Sequence, residues 1–218
     1  PLHLAAKAGH LHVVRVLVMC NDDIIESRDE FNRTPLFIAI QFKQLEVAEF
    51  LIQNGANVDT EDIFGGSILF GVAFAGYFDA IKLLTRSGAN LNGQNLISTV
   101  TWKDRNFDIV KFLLENGVDI NETHEDGSNA LHRVVGDIET MKYLLDNGIE
   151  VSCDKTKGTP LHLAVEYACD NLTEDEDVKK YLASIELLLN AGVSIDVQDN
   201  MGVPALMKAI EAENYQVT

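Results

Sequence analysis

The feature that most constrains this chain is a short phrase that returns at near-regular intervals. The phrase is a glycine followed by alternating apolar and short polar or acidic residues, and it occurs as Gly55-Ala-Asn-Val-Asp, Gly88-Ala-Asn-Leu-Asn, Gly117-Val-Asp-Ile-Asn, Gly148-Ile-Glu-Val-Ser and Gly192-Val-Ser-Ile-Asp. Successive glycines are 33, 29, 31 and 44 residues apart. A period of about 20 to 50 residues is typical of a solenoid, in which similar units stack on one another.

A second phrase sets the phase of the repeat. It reads Thr34-Pro-Leu-Phe and Thr159-Pro-Leu-His-Leu-Ala, and its later part opens the chain as Pro1-Leu-His-Leu-Ala-Ala. Threonine is a favourable N-cap and proline a favourable first helical residue, so each copy predicts the start of a helix. A second helix with one apolar face, as at Leu45, Ala48 and Ile52, is predicted to end before the glycine phrase.

Together the two phrases resemble the ankyrin repeat, and the resemblance covers essentially the whole chain. It implies an all-α fold, a solenoid of stacked helix-turn-helix units whose connecting loops project as β-hairpin-like fingers. No single helix pair buries both of its apolar faces, so stability belongs to the stack. The resemblance also implies a concave surface of fingers and inner helices, where the family usually binds proteins.

The repeats predict a single ankyrin-repeat domain over residues 1–218. Its six full repeats and truncated seventh are expected near 1–28, 29–61, 62–94, 95–125, 126–154, 155–198 and 199–218. The fourth matches the opening phrase poorly, which predicts a short or irregular first helix. The sixth carries an acidic insertion near 168–180, interpreted as a solvated loop or, alternatively, as a docking contact for a basic partner. The incomplete repeats at both ends predict a fragment of a longer protein with flanking repeats or domains.

Composition limits the possible partners and location. The net charge is −17, which disfavours binding to nucleic acid or anionic lipid through phosphate groups. No apolar run approaches the roughly 20 residues that a membrane span requires, so membrane insertion is not expected. The three cysteines form no close pair, which favours a reducing, intracellular and cytoplasmic setting.

Histidines and motifs give no indication of catalysis. The resemblance assigns His3, His132 and His162 to hydrogen bonds between successive turns. His10 and His12 lie near a turn and lack a third ligand at a fixed spacing. No phosphate-binding loop or nucleophile motif is found. We therefore expect a non-enzymatic chain with no catalytic residue, cofactor or metal.

Residues that the repeat leaves free lie at finger tips and on the outward face of each first helix. The partner-binding hypothesis comprises Arg28, Glu30, Phe31, Arg33, Gln41, Phe42, Glu61, Ile63, Phe64, Phe74, Thr123, Glu125, Asp126 and Ser128. The large apolar members fall in adjacent repeats and predict one apolar patch, whereas irregular packing that buries some of them is the alternative. The later members are polar or acidic. These positions predict a groove with an aromatic and an acidic end, suited to apolar anchors beside basic residues.

The leading interpretation of function is a protein-protein interaction module that binds a protein or peptide on the concave surface. An alternative is a targeting or regulatory array of a larger effector, toxin, enzyme or channel whose active part lies outside these residues. A structural spacer is a further alternative, and it predicts that changing the apolar concave residues has no effect on binding.

Overall fold

The computed structural model describes residues 1–101, 106–156, 158–170 and 175–211. The chain forms two compact units, Pro1–Leu96 and Ile97–Thr218. Both are built from pairs of antiparallel helices, as the repeat predicts. Within the described ranges the only β-structure consists of isolated bridges between Glu61 and Ser67 and between Gln198 and Pro204, both in fingers.

In the first compact unit, shorter and longer helices alternate. They are α1 (Leu2–Ala8), α2 (Leu11–Cys20), α3 (Pro35–Gln41), α4 (Leu45–Gln53), α5 (Ile68–Phe74) and α6 (Phe78–Arg86), with a 3₁₀ helix at Asp22–Glu26. Each first helix packs on the next first helix, α1 on α3 and α3 on α5, while α2 packs on α4. Because each repeat lies against its neighbour, the apolar faces form one continuous core.

Helix starts and ends follow the local chemistry that the sequence predicts. The Thr34 hydroxyl accepts a hydrogen bond from the Phe37 amide at 3.2 Å, with proline as the first helical residue. Ser67 replaces this cap in the third repeat and accepts from the Phe70 amide at 2.9 Å. After α4, Gly55 has a φ of 92°, a left-handed conformation that glycine adopts at little cost.

Two details of the first compact unit differ from expectation. The buried face of α4 is Val47, Ala48 and Leu51, whereas Leu45 and Ile52 lie at the helix ends and are half-buried. Asn21 follows α2 where other repeats have a glycine, and asparagine tolerates the left-handed conformation, but its φ is −160°. Its side chain instead caps the 3₁₀ helix, which replaces the glycine phrase and removes the need for a left-handed residue.

The second compact unit repeats the pairing with more variation in helix length. Its helices are α7 (Leu96–Thr101), α8 (Phe107–Glu115), α9 (Ala130–Arg133), α10 (Ile138–Asp146), α11 (Pro160–Asp170), α12 (Asp175–Asn190) and α13 (Ala205–Glu211). Second helices pack in the order α8, α10 and α12, and first helices in the order α9, α11 and α13. The fourth repeat, despite its poor match to the opening phrase, thus has a second helix, α8, before its glycine phrase.

The acidic insertion of the sixth repeat extends helices. Residues 168–170 complete α11 and residues 175–180 begin α12, so the loop interpretation is wrong for them, and residues 171–174 lie outside the described residues. The added length of α12 meets a shortened turn in the fifth repeat. There Gly136 has a φ of 88°, its amide donates to Ser184 Oγ at 3.0 Å, and a Cβ would lie 2.8 Å from Tyr181 Cε1. The short turn of the fifth repeat and the long helix α12 therefore fit against each other, and each depends on the other.

Two sets of side-chain hydrogen bonds link each repeat to the next, one from histidines of the first helices and one at the bases of the fingers. Nε2 of His3 bonds to the Arg33 carbonyl at 2.9 Å, that of His132 to the Gly158 carbonyl at 3.2 Å, and that of His162 to the Val203 carbonyl at 2.9 Å. The structural role of these histidines is confirmed. At the finger bases, amides donate at 2.8 Å to side-chain oxygens of the preceding repeat, in the pairs Asn57–Glu26, Asn90–Asp59 and Glu150–Asn121.

Candidate functional site

A groove of about 540 Å³ opens between the fingers and first helices of the first compact unit. We call it the aromatic groove, because five aromatic side chains line it: Phe31, Phe37, Phe64, Phe70 and Tyr77. Its floor comes from α3 and α5, and its wall comes from two successive fingers. The fold thus brings rings from five different segments of the chain to one surface.

Two of the rings stand where other repeats use histidine. Phe37 and Phe70 occupy the fourth residue of the helix-opening phrase, the position of His3, His132 and His162. Histidine there bonds to the next finger, but a phenyl ring has no hydrogen-bonding group. The second and third repeats therefore lack this bond and present apolar surface instead, which is why the groove forms here.

Two further rings are placed by aspartates in the fingers. Asp29 Oδ1 accepts from the amides of Phe31 and Arg33 at 3.0 and 2.9 Å. Asp62 Oδ1 accepts in the same way from the amides of Phe64 and Gly66 at 2.9 and 3.0 Å. Such aspartate turns fix the finger backbone and hence the origin of each aromatic side chain. Phe64 remains 85% exposed at its tip.

The same aspartate turn recurs in the second compact unit. Asp154 and Asp199 accept from the equivalent amides of their fingers at 2.8 to 3.0 Å. Sequence reasoning missed these aspartates, although each stands five residues before the residue that opens the first helix. Part of the negative charge of the chain therefore serves to shape fingers.

Arginine is neutralised at the groove. The Arg33 guanidinium donates from Nε and NH2 to Asp29 Oδ2 at 2.9 and 2.7 Å and from NH1 to Gln41 Oε1 at 3.0 Å. It also lies 4.8 Å from the centroid of the Phe31 ring. Burial raises the pKa of Asp29, but the hydrogen bonds from Arg33 and Phe31 outweigh burial, so this pKa lies below its ordinary value.

Lysine at the groove is less engaged. Lys43 lies in the turn between α3 and α4, and its ammonium is 5.4 Å from the centroid of the Tyr77 ring. Among the residues that the structure describes, no carboxylate lies within ion-pair distance of it. Three charged side chains line the groove, and Lys43 is the one whose charged group makes neither an ion pair nor a hydrogen bond with the described residues.

The apolar members of the partner-binding hypothesis are all exposed. Phe31, Phe42, Ile63, Phe64 and Phe74 have exposed fractions between 40% and 85%, so the alternative that irregular packing buries them is wrong. Only two of them, Phe31 and Phe64, line the aromatic groove. The groove takes its other rings from Phe37, Phe70 and Tyr77, which the hypothesis did not include, although the loss of histidine at 37 and 70 was a usable signal.

The polar members near the groove divide into two kinds. Arg33 and Gln41 line it, while Glu30 and Glu61 are exposed outside its lining. Arg28 is exposed but structural, because NH1 donates to Thr60 Oγ1 at 2.7 Å and to the Glu61 carbonyl at 3.2 Å in the next finger. Its contribution is therefore to hold two fingers together.

The acidic members lie in the second compact unit. Thr123 and Glu125 are exposed. Ser128 is only 3% exposed and its hydroxyl donates to Asp126 Oδ1 at 2.6 Å, so placing it on a free surface was wrong. The side-chain and backbone hydrogen bonds from Ser128 lower the pKa of Asp126, whose carboxylate thus serves the finger turn. His124 in the same finger is half-buried.

Metal-binding clusters, membrane spans and cysteines give no second candidate site in the described part of the chain. No group of three or more histidine, cysteine, aspartate or glutamate side chains there could hold a metal ion. No described helix combines the length and apolarity needed to cross a membrane. Cys20 and Cys153 are free and exposed, and Cys169 is free and buried.

Comparison with known sequences gives a consistent result. The family model described as ankyrin repeats (3 copies) matches residues 1–62 and 96–184. The nuclear factor NF-kappa-B p105 subunit of Gallus gallus is 30% identical over 185 residues, which are 75% of this chain and 18% of that protein. The same subunit of Rattus norvegicus is 34% identical over 91 residues, 39% of this chain and 9% of that protein. The chain thus spans less than a fifth of the length of these curated relatives.

Solved structures share the fold. The human ASB11 ankyrin repeat domain has a TM-score of 0.76 at 22% identity, covering 100% of this chain and 95% of that one. The ankyrin repeat domain of Bcl-3, described as a unique member of the IkappaB protein family, has a TM-score of 0.79 at 20% identity, covering 95% and 92%. The predicted all-α solenoid of stacked helix pairs is confirmed.

Proposed function

This chain belongs to the ankyrin-repeat family, and we propose that it binds a segment of a partner protein in the aromatic groove. Ankyrin repeats are protein-interaction modules, and their stacked units create extended binding surfaces. The proposal specifies which part of that surface is used. It places the site on the concave side of fingers and first helices, in the second and third repeats.

The observation that carries the proposal is the exposure of aromatic rings around one groove. Phe31, Phe64 and Phe70 are each more than two-fifths exposed although they line a common cavity. Burying one such side chain contributes about 1.5 to 3 kcal/mol. Aromatic anchors in pockets tend to dominate interface energetics, so this cluster is suited to a partner that covers it.

The groove is suited to recognition because it is already formed. Asp29 and Asp62 hold the finger backbones, and the caps at Thr34 and Ser67 hold the starts of α3 and α5. A preformed surface loses little conformational entropy when a partner binds. We propose that the chain acts by this recognition alone, without catalysis, and in the reducing interior of the cell, where its free cysteines remain thiols.

A second candidate function is a targeting or regulatory array within a larger protein. It is supported by the chain spanning only 18% and 9% of its p105 relatives. In this case the aromatic groove would direct a larger effector, toxin, enzyme or channel to its partner. The site is the same in both candidates, and only the protein to which it is attached differs.

The experiment compares partners captured from cell extract by the unaltered chain and by single variants. Phe64→Ser removes an 85% exposed ring from the groove, and Met19→Ser removes an equally exposed apolar side chain, at 86%, that does not line it. We expect Phe64→Ser to lose a partner that Met19→Ser retains, with unchanged circular dichroism for both. A partner set that both variants retain in full would refute the site.

A further inference from the structure

We infer that the partner segment in the aromatic groove carries an aromatic or aliphatic side chain next to a carboxylate. The inference rests on the proposed function and specifies the chemistry of the partner. It departs from the expectation, based on net charge, that a partner of this acidic chain is basic beside its apolar anchors. Three properties support it: the size of the groove, the lysine at its rim, and the short range over which the other charges of the chain act.

The size of the groove favours a short segment as the occupant. A volume of about 540 Å³ is within the range of about 300 to 1,000 Å³ of pockets that enclose small ligands. It accommodates a few side chains of an extended peptide. Because the lining is mainly phenyl and aliphatic, the side chain that enters is apolar, and any polar group of the peptide stays at the rim.

One cation at the rim is left without an internal ion pair among the described residues. Arg33 and Asp29 neutralise each other through two hydrogen bonds. The Asp62 carboxylate accepts two backbone amides, so it is already stabilised as an anion by its own finger. Lys43 remains, with its ammonium over the Tyr77 ring and no carboxylate in range among the described residues. A partner carboxylate is the group that completes this arrangement.

The ammonium of Lys43 is held at the groove. The Lys43 amide donates to the Ile40 carbonyl at 3.0 Å, which fixes the turn from which the side chain extends. The face of Tyr77 attracts the cation, since aromatic rings carry negative charge density on their faces. A positioned cation loses less entropy on pairing than a free one, which increases the gain from an incoming carboxylate.

The net charge of −17 does not cancel this local preference. Charges are screened over about 8 Å at physiological ionic strength, so remote carboxylates contribute little to a contact at Lys43. Their main effect is to slow the approach of an acidic partner. Glu30 and Glu61 are exposed in the two fingers that contribute to the groove, but they lie outside its lining. They favour a segment with one well-placed carboxylate over a run of several.

The test starts from a random peptide library displayed on phage. Peptides are selected on the unaltered chain and depleted on the Phe64→Ser variant, so that those retained depend on the groove. We expect them to share an apolar residue within about two positions of aspartate or glutamate, the reach of one extended pleat. Affinities of the selected peptides are then measured on charge variants.

Lys43→Met is expected to weaken binding about 2- to 5-fold, because an exposed ion pair is lost. Lys43→Glu should weaken it more, because repulsion replaces the pair. Lys82→Met is the matched control, since Lys82 also lies over a ring, that of Phe78 at 4.3 Å, and is outside the groove. It should leave affinity unchanged.

Three outcomes separate the inference from the proposed function. Acid-flanked peptides that depend on Lys43 support both. Groove-dependent peptides flanked by lysine or arginine, or an affinity unchanged in Lys43→Met, overturn the inference and leave the binding site intact. If no selected peptide depends on Phe64, the proposed site itself is refuted along with the inference.

Discussion

Replacing Gly136 by alanine tests whether the short turn of the fifth repeat and the long helix α12 depend on fitting closely against each other. The φ of 88° at Gly136 costs any other residue about 1 to 2 kcal/mol. The new Cβ would also lie 2.8 Å from the Tyr181 ring, and overpacking of this kind adds about 1 to 3 kcal/mol. The Gly136 amide is bonded to Ser184, so the turn cannot move away without losing that bond. We expect a total loss of about 2 to 5 kcal/mol.

The chain offers a matched control for this change. Gly148 has a φ of 84°, and a Cβ there would meet nothing within 4 Å. Gly148→Ala should therefore carry the backbone cost alone, about 1 to 2 kcal/mol. Both glycines belong to the second compact unit, so both changes are read from the same urea unfolding transition followed by circular dichroism.

The contact with Tyr181 is isolated by a double-mutant cycle. In a Tyr181→Ala background the Gly136→Ala change should cost only what Gly148→Ala costs, giving a coupling of about 1 kcal/mol or more. Equal losses for the two glycines in the unaltered chain, or a Gly136 cost that is the same with and without the ring, would refute the reasoning.

Three further predictions follow from the histidines and fingers. Burial lowers the pKa of His132 in the folded chain, so the unfolded chain takes up a proton first as pH falls. The contribution of this histidine to stability should therefore be full above about pH 6.5 and decline below it. The measurement is urea unfolding at several pH values, in which His132→Ala should flatten the pH dependence. Phe37→His should restore the hydrogen bond from the first helix to the next finger, here to the Gly66 carbonyl, and contribute about 1 kcal/mol of stability. Because it removes a ring from the groove, it should also weaken groove-dependent peptide binding. Unchanged peptide affinity would contradict this prediction. Asp62→Ala should leave two finger amides without their acceptor and lower the unfolding free energy by about 1 kcal/mol. It should also reduce the affinity of peptides that depend on Phe64. A variant with unaltered affinity would show that the finger needs no aspartate.

Periodicity was sufficient to predict the fold. The glycine phrase and the threonine-proline phrase gave the alternation of helices, and Thr34 and Gly55 adopt the cap and left-handed conformation that their chemistry favours. The same local rules failed at Asn21, because a 3₁₀ helix with a buried Ile25 follows it and extended backbone suits that geometry better. The conformational preference of a single residue is overridden where a different element satisfies the hydrogen-bonding groups of the same backbone.

The site was predictable only in part, because exposure and mutual position are different properties. Free positions in the repeat correctly indicated exposed Phe31 and Phe64, but which rings share a cavity depends on how α3 and α5 pack. Ser128 shows the converse: a polar residue at a finger position is buried because a neighbouring aspartate accepts its hydroxyl. The contact between Gly136 and Tyr181 joins distant parts of the sequence and left no periodic signal.

The exchange of histidine for phenylalanine at Phe37 and Phe70 has a consequence for protein engineering. Stability in a solenoid is approximately a sum of terms for single units and adjacent pairs, so a change at one junction leaves the other junctions nearly unaffected. A groove that arises from two such exchanges is therefore a feature that can be introduced at another junction. Replacing His132 and His162 by phenylalanine, with aromatic residues at the adjoining finger tips, is a design route to a second pocket in the same chain. The design gives up two hydrogen bonds and adds no residues to the backbone.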